Sequence, residues 1–184
     1  LYTFLSYLPK YVNGPITTGG LGVELDSSLF IYLILIPSIV SIFSLLFGGF
    51  LADSLIKKGH NILNVRRSVN SIGFFGSAVF LYMISLQDSM YQVLLLLCLI
   101  NLCSGICAGG FGVNHADLGP KYTGSLVGIS GSLGMLAAIS SPIVAGYVLE
   151  ISNSWNSIFY ICSSVLIFGG IFYLFFSSAT KQFE

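Results

Sequence analysis

Charged residues divide the chain into long apolar stretches. No Asp, Glu, Lys or Arg occurs within residues 27–52, 68–87, 89–116, 122–149 and 151–180. Each stretch is long enough, or nearly so, to cross a hydrocarbon layer about 30 Å thick as a helix of about 20 residues. A helix bonds its backbone groups within its own segment, as a lipid environment requires. The pattern therefore predicts an all-α membrane protein that lies in the lipid bilayer.

Six transmembrane helices are expected, near residues 1–13, 28–52, 66–86, 90–113, 120–149 and 154–178. The first is too short to span a membrane, and no signal-peptide pattern precedes it. We therefore expect residue 1 to lie inside a helix whose start is missing. Composition agrees, because only 8% of residues are charged and the mean hydropathy is +0.91, whereas soluble domains have about 25% charged residues.

The positive charges predict an orientation. If the helices cross in turn, six of the seven Lys and Arg residues fall on one side, namely Lys57, Lys58, Arg66, Arg67, Lys121 and Lys181. That side contains the loops 53–65 and 114–119 and the C-terminus. Cytoplasmic loops are enriched in Lys and Arg, so we expect these segments to be cytoplasmic. The sequence does not indicate which membrane the protein occupies.

The net charge and the positions of the cysteines argue against binding of nucleic acid and of metal ions. Seven basic and seven acidic residues leave a net charge of zero, so no basic surface for nucleic acid is expected. The four cysteines lie within apolar stretches, without the spacing of metal ligands. We expect no metal and no cofactor.

One motif raises an enzymatic alternative. Gly128-Ile129-Ser130-Gly131 matches the nucleophile pattern of six-helix intramembrane serine proteases. That chemistry needs a histidine within hydrogen-bond reach of the serine. In those proteases the histidine follows on a later helix, whereas His60 and His115 precede Ser130 and fall in predicted loops. The sequence therefore indicates a protein that is not an enzyme.

Small residues recur at four-residue spacing in two helices. Gly105 and Gly109 form such a row in the fourth helix, and Gly124, Gly128 and Ser132 form one in the fifth. Rows of this kind let helix backbones approach closely. Close packing is the main interpretation, and a fifth helix that slides or bends is the alternative.

The centres of the predicted helices contain no ionisable side chains. Such residues inside a membrane usually mark transport sites, so a coupling carboxylate and a charged solute contact are expected outside this chain. The neutral polar residues that remain are candidates for lining a cavity: Tyr2, Ser6, Asn101, Ser104 and Ser130.

Two loop motifs resemble a known family. Gly49-Phe50-Leu51-Ala52-Asp53, with Lys57-Lys58-Gly59 after it, resembles the loop between the second and third helices of a six-helix half in the major facilitator superfamily. The segment from Asn114 to Gly124, NHADLGPKYTG, is similar to the N-H-x-D-I-A-P-R-Y-A-G segment of the anion:cation symporter branch. That branch includes sialin, vesicular glutamate transporters, sodium-phosphate relatives and plant anion transporters.

The resemblance implies the C-terminal half, helices seven to twelve, of a twelve-helix carrier whose N-terminal half is absent from this sequence. The seventh-helix arginine of the branch would lie just before Leu1. Lys121 replaces an arginine of the motif, and Gly131 replaces an asparagine that the branch often has. Residues matching the motifs, or placed beside them, are the expected gate residues: Gly49, Asp53, Arg66, Arg67, Asn114, His115, Asp117, Pro120 and Lys121.

The resemblance further implies a secondary active transporter of small organic or inorganic anions such as phosphate, glutamate or sialate. Coupling to H⁺ or Na⁺ and alternating access would follow. Two alternatives remain open, a polyspecific drug or nutrient carrier of the same superfamily and a non-transporting membrane scaffold. In the family fold Asp53 would lie beside the start of the fifth helix, whose unpaired N–H groups and dipole attract a carboxylate.

Overall fold

The computed structural model describes residues 2–24 and 26–180, with side chains from Tyr7 onwards. This part of the chain contains seven α-helices: α1 (Tyr2–Asn13), α2 (Ser27–Lys57), α3 (Ile62–Ile84), α4 (Met90–Cys107), α5 (Val113–Leu118), α6 (Thr123–Ser152) and α7 (Trp155–Phe176). Short 3₁₀ turns occupy Ile16–Thr18 and Pro120–Tyr122, and a π-helical turn, Ala108–Gly112, joins α4 to α5. Because that turn is continuous with both neighbours, six long helical rods result, as the sequence predicts.

Two loops are shorter than the sequence predicts. The expected loop 53–65 contracts to 58–61, because Gly59 turns the chain at φ +91° and Asn61 caps α3 by accepting from the Leu63 N–H at 2.9 Å. Asp53 therefore lies one turn before the end of α2 rather than at its end. The expected loop 114–119 was wrong for most of its length, since α5 remains helical to Leu118. Pro120 lacks an N–H and ends this helical run.

Four helical segments of the described chain are long and apolar enough to cross a membrane, namely Ser27–Lys57, Met90–Leu118, Pro120–Ser152 and Trp155–Phe176. Helix α1 has only 12 residues, and α3 contains Arg66, Arg67 and Asn70 in its first half. Large apolar side chains such as Phe43, Phe168 and Phe175 are exposed on the outside. Exposed apolar side chains on helices of this length fit contact with lipid.

A close crossing of α2 and α4 forms the tightest seam of the bundle. A Cβ on Gly48 would lie 2.6 Å from the Ile106 Cα, and one on Gly109 would lie 2.8 Å from the carbonyl carbon of Gly48. The Ser44 hydroxyl donates to the Leu102 carbonyl across the same seam. The close approach expected from Gly105 and Gly109 is therefore confirmed.

Helix α3 packs against α4 and α7 on the other side of the bundle. The Ser163 hydroxyl on α7 donates to the Ala78 carbonyl at 3.0 Å, so even this apolar interface contains a satisfied polar group. Near the start of α7, Trp155 and Phe159 pack edge-on against Tyr11, with ring centroids 5.6 and 5.1 Å away. These rings bring the end of α1 and the start of α7 to the same end of the bundle.

Helix α6 is attached mainly through its C-terminal half. The Tyr7 hydroxyl donates to the Pro142 carbonyl at 3.0 Å. Pro142 has no N–H for the Ala138 carbonyl, and the Ser141 hydroxyl donates to that carbonyl instead, at 3.3 Å. In the N-terminal half, a Cβ on Gly124 or Gly128 would meet no atom of the described part of the chain within 4 Å. This half of α6 is an open face, defined here by Gly124, Gly128, Ser130, Gly131 and Gly134.

Candidate functional site

A buried arginine joins three elements at one end of the bundle. Arg66, only 4% exposed, donates from Nε to Asp117 Oδ2 at 2.8 Å and from Nη2 to Asp117 Oδ1 at 3.4 Å. Its Nη1 also donates to the Gly109 carbonyl at 2.7 Å. This bidentate pairing matches the planar guanidinium, whose N–H groups lie side by side opposite the two carboxylate oxygens. The side chain thus fastens α3 to α5 and to the π-turn.

Local backbone chemistry makes room for this arginine. Gly109 and Gly110 lie in the π-turn, and a Cβ on Gly110 would be 3.0 Å from the Arg66 carbonyl oxygen. The absence of side chains at these positions lets the turn lie against the first turns of α3. A buried charge is stable only when its donors are paired, and Asp117 with the Gly109 carbonyl supplies that pairing.

The next residue, Arg67, points to a different helix. Its Nε donates to the Ser177 hydroxyl at 2.9 Å, and its Nη2 donates to the Ser177 carbonyl at 3.0 Å. Ser177 is the residue that ends α7, where unpaired carbonyls favour a cation. Adjacent arginines therefore bind α5 and α7 to the same end of α3, which we call the charged end of the bundle.

Polar residues extend the charged end inward. The Asn70 side-chain carbonyl is 3.0 Å from Cys107 Sγ and accepts its hydrogen. Within the described part of the chain, Asn70 Nδ2, Asn114 Oδ1 and the Tyr173 hydroxyl are buried without a hydrogen-bond partner. Such atoms are uncommon in native proteins, and they make this a polar region inside an apolar bundle.

His115 and Ser130 meet on the opposite side of α5. His115 Nε2 is 3.0 Å from Ser130 Oγ, and His115 Nδ1 is 3.3 Å from the Gly112 carbonyl oxygen. The expectation that His115 lies in a loop, out of reach of Ser130, was wrong because α5 extends the helix through this residue. A backbone carbonyl lies at His115 Nδ1, where a Ser-His-Asp triad has a carboxylate. His115 also precedes Ser130 in the chain, the reverse of the order in six-helix intramembrane serine proteases.

Other predicted gate residues lie at the charged end without such contacts. Asp53 is exposed on α2, and in the described residues it makes no hydrogen bond or ion pair. Gly49 has open space where a Cβ would be, and Pro120 and Lys121 are exposed in the 3₁₀ turn. A role for Asp53 beside the start of α6 therefore stays a prediction.

The predicted cavity residues fall into two groups. Asn101 and Ser104 line a cavity of about 140 Å³ that is bounded by α1, α2, α3, α4 and α7. Asn101 donates to the Leu97 carbonyl of its own helix at 2.9 Å, and Ser104 Oγ is 3.2 Å from Ser77 Oγ. Ser130 lies apart from them on the open face of α6. The side chains of Tyr2 and Ser6 are outside the described residues.

The sequence reasoning missed Gly109, Cys107, Tyr173 and Ser177 as parts of the charged end. One signal was available. Arg66 and Asn70 are four residues apart on a predicted helix, so they share one face and mark it as polar. Nothing in the sequence marks Ser177, because its bond to Arg67 depends on where α7 ends.

A bundle of long apolar helices with exposed apolar side chains and most of its positive charge at one end is typical of an integral membrane protein. A family model described as Major Facilitator Superfamily matches residues 1–182. The chain belongs to the major facilitator superfamily, and the predicted resemblance to its anion-transporting branch is confirmed by its relatives.

Three curated relatives illustrate that similarity. "Probable anion transporter 1, chloroplastic" of Oryza sativa subsp. japonica is 31% identical over 180 residues, covering 98% of this chain and 32% of the relative. "Sialin" of Homo sapiens is 29% identical over 185 residues, which cover 98% of this chain and 36% of the relative. "Ascorbate transporter, chloroplastic" of Arabidopsis thaliana is 32% identical over 134 residues, which cover 73% of this chain and 25% of the relative. The chain thus spans between a quarter and just over a third of the length of these relatives.

Proposed function

We propose that this chain is the C-terminal six-helix half of a twelve-helix carrier for small organic or inorganic anions. The carrier works by alternating access and uses H⁺ or Na⁺ as its coupling ion. The names of the relatives, which include an anion transporter, sialin and an ascorbate transporter, support the class of solute. The observation that supports a missing half most directly is the open face of α6.

The open face has the composition of a helix contact rather than of a lipid contact. Gly124, Gly128, Gly131 and Gly134 leave a shallow surface, and among the described residues no atom outside α6 lies within 4 Å of a Cβ added there. Small residues favour close approach of another helix, and they gain little from lipid. In carriers built from two repeats, the solute site lies near the midplane where the halves meet. The open face is the surface that the N-terminal half would cover, with the transport pathway between them.

The hydrogen bonds of the charged end support the proposal that this end moves as one rigid body when the carrier closes on the cytoplasmic side. Arg66, Asp117 and the Gly109 carbonyl hold α3, α5 and the π-turn together, so these elements would move as one body when the halves rock. Arg67 and Ser177 add α7 to that body. We assign this end to the cytoplasm because it contains most of the positive charge.

Uptake into proteoliposomes of the full-length protein tests the function. Radiolabelled inorganic phosphate, glutamate, sialate and ascorbate are supplied separately, with protein-free liposomes as the control. Uptake of at least one anion above that control is expected. Uptake of uncharged nutrients or cationic drugs alone would favour the polyspecific carrier, and no flux of any solute would favour the scaffold.

Cysteine labelling tests the orientation. Single cysteines replace Glu24 and His60 in a background without the native cysteines, and an impermeant reagent is added to sealed, oriented vesicles. Glu24 precedes α2 and His60 follows it, so the two positions lie at opposite ends of this 31-residue helix and we expect labelling from opposite sides. Labelling of both positions from one side would contradict the six-span arrangement.

A further inference from the structure

Helix α5 is held on two sides by different chemistry. Asp117 pairs with Arg66 on α3, whereas His115 bonds Ser130 on α6. Two residues along a helix correspond to a rotation of about 200°, so these side chains project from nearly opposite faces. The ion pair binds α5 to the rigid charged end. The imidazole binds it to the open face.

His115 stands apart from its charged neighbours. Asp117 and Arg66 are committed to each other, Arg67 bonds Ser177, and Cys107 donates to Asn70. Lys121 and Tyr122 follow in the 3₁₀ turn, where both are exposed. Helix α6 has no Asp, Glu, Lys, Arg or His between Thr123 and Leu149. Of the two side chains in this contact, only the imidazole has a ring nitrogen that can take up a proton, namely Nε2.

The bonds of the imidazole fix the position of its proton. The Gly112 carbonyl can only accept, so Nδ1 must be the protonated nitrogen that donates to it. In the neutral ring Nε2 then accepts from the Ser130 hydroxyl. That hydroxyl has a second acceptor available, the Val127 carbonyl at 3.2 Å. The serine can therefore turn its single hydrogen toward either partner.

We propose that His115 binds and releases a proton during transport, and that the proton reverses the donor in the His115–Ser130 bond. A proton from water forms the Nε2–H bond, no electrons are transferred, and the imidazolium then donates to Ser130 Oγ. The Ser130 hydroxyl turns to the Val127 carbonyl. The inference rests on the proposed function and assigns its coupling ion as H⁺.

The proton also changes the charge of the open face. The neutral form leaves this face without a charge from α6, whereas the imidazolium supplies one positive charge beside it. A positive charge favours an anionic solute in the adjoining pathway, and by linkage the anion favours the proton to the same extent. Proton and anion would therefore bind together, as symport requires.

A histidine pair in the chain provides a matched transport test. Full-length wild type, His115→Gln and His60→Gln are reconstituted, and uptake of the four labelled anions is measured with and without an inward proton gradient. His60 lies in the exposed loop between α2 and α3. We expect the gradient to stimulate uptake by wild type and His60→Gln, and the stimulation to be lost in His115→Gln.

Exchange of labelled for unlabelled anion separates coupling from folding, because exchange needs no net proton movement. We expect exchange by His115→Gln to remain measurable. Equal stimulation in His115→Gln and wild type would overturn the inference, and so would the loss of exchange together with stimulation, since His115 would then be structural. Absence of uptake by wild type would instead overturn the proposed function.

Nitrogen NMR of histidine-labelled full-length protein tests the proton position without transport. The His115 signals are assigned by their loss in His115→Gln. We expect the Nδ1–H tautomer in wild type while the ring is neutral, and protonation of both ring nitrogens once the proton is bound. In Ser130→Ala the Nε2 shift should change because its donor is gone. An Nε2–H tautomer in wild type, or an Nε2 shift that is the same in Ser130→Ala, would contradict the inferred bond.

Discussion

The seam between α2 and α4 and the open face of α6 are built from the same kind of residue. Gly105 and Gly109 form the first row, and Gly124 and Gly128 form the second, each at four-residue spacing. In the seam an added Cβ would strike α2 backbone or side-chain atoms, whereas on the open face it would meet no atom of the described residues within 4 Å. A row of small residues therefore predicts a close contact without identifying the partner.

Burial separates the two regions as clearly as contact does. In the apolar 18-residue stretch of Met90–Leu118, 50% of the residues are buried, whereas in the corresponding stretch of Pro120–Ser152 only 6% are buried. The seam is completed within this chain, and we infer that the open face is completed by the other half of the carrier. Substitutions should therefore affect stability in the seam region and transport on the open face.

The largest effect is expected from Asp117→Asn, next to the seam. This change leaves the Arg66 charge buried, with side chains 5% and 18% exposed in the wild-type pair. Breaking a buried ion pair costs about 3–5 kcal/mol. Thermal unfolding of the full-length protein in detergent measures the loss. The control is Ser132→Ala on α6, an exposed hydroxyl bonded only within its own helix, for which we expect a change within about 0.5 kcal/mol. Equal losses in both variants would remove the distinction between the regions.

A smaller and more specific effect is expected from alanine at matched glycines. Gly109→Ala forces a methyl group against Gly48, and overpacking of this kind costs about 1–3 kcal/mol. Gly128→Ala meets no described atom of this chain, faces the proposed transport pathway and gains helix propensity, so its stability should be unchanged or higher by up to about 1 kcal/mol. Unfolding and anion turnover are measured together. We expect Gly128→Ala to slow turnover without lowering stability, and lowered stability with normal turnover would contradict the assignment of the open face.

Asp53→Asn is expected to change transport kinetics alone. Asp53 is exposed, and the prediction is that its carboxylate meets the start of α6 when the cytoplasmic side is closed, an attraction of about 0.3–2 kcal/mol. We expect slower turnover, solute affinity within a few-fold of wild type and greater cytoplasmic labelling of cavity cysteines. Lys57→Gln, one turn later on α2, is the control. Unchanged turnover and labelling would exclude Asp53 from the gate.

The smallest effect concerns the entry to α2, remote from both regions. Hydrogen bonds from the Ser28 hydroxyl and N–H lower the pKa of Asp26 below its ordinary value of 3.8. A carboxylate with a lowered pKa contributes stability above that ordinary value, and the contribution is lost as pH falls through the folded-state pKa. Melting temperatures of wild type and Asp26→Ala should differ slightly at pH 7 and converge in strong acid. A difference independent of pH would show that the charge is not responsible.

The sequence was sufficient for the six helical rods and the charged end, because lipid forbids unpaired backbone and penalises charge in the same way along the whole chain. Helix ends were predicted less well. The predicted second helix stopped at residue 52, whereas α2 continues past Asp53 to Lys57. Long polar side chains can extend from a helix end toward water, so a charge does not end a helix.

The partners of Arg66 and His115 could not be predicted, because each depends on the rotation of α5. That rotation is set by the π-turn, and a stretch of glycines such as Gly109-Gly110 is compatible with several backbone conformations. The sequence analysis therefore ended the fourth helix at residue 113 and treated His115 and Asp117 as loop residues. Charge counting identified the end of the bundle but could not distinguish Asp53 from Asp117 as the partner of a buried arginine.

The π-turn has a consequence for how this chain can vary in length. A π-turn already contains one residue more than an α-turn, so an inserted codon within Ala108–Gly112 would keep the reading frame and every motif residue, yet it would rotate the whole of α5 by about 100° relative to α4. Asp117 would turn away from Arg66, and His115 would turn away from Ser130 in the same event. Single-residue insertions at this turn should therefore be far more damaging than most substitutions there, although the turn itself contains no charged or catalytic side chain.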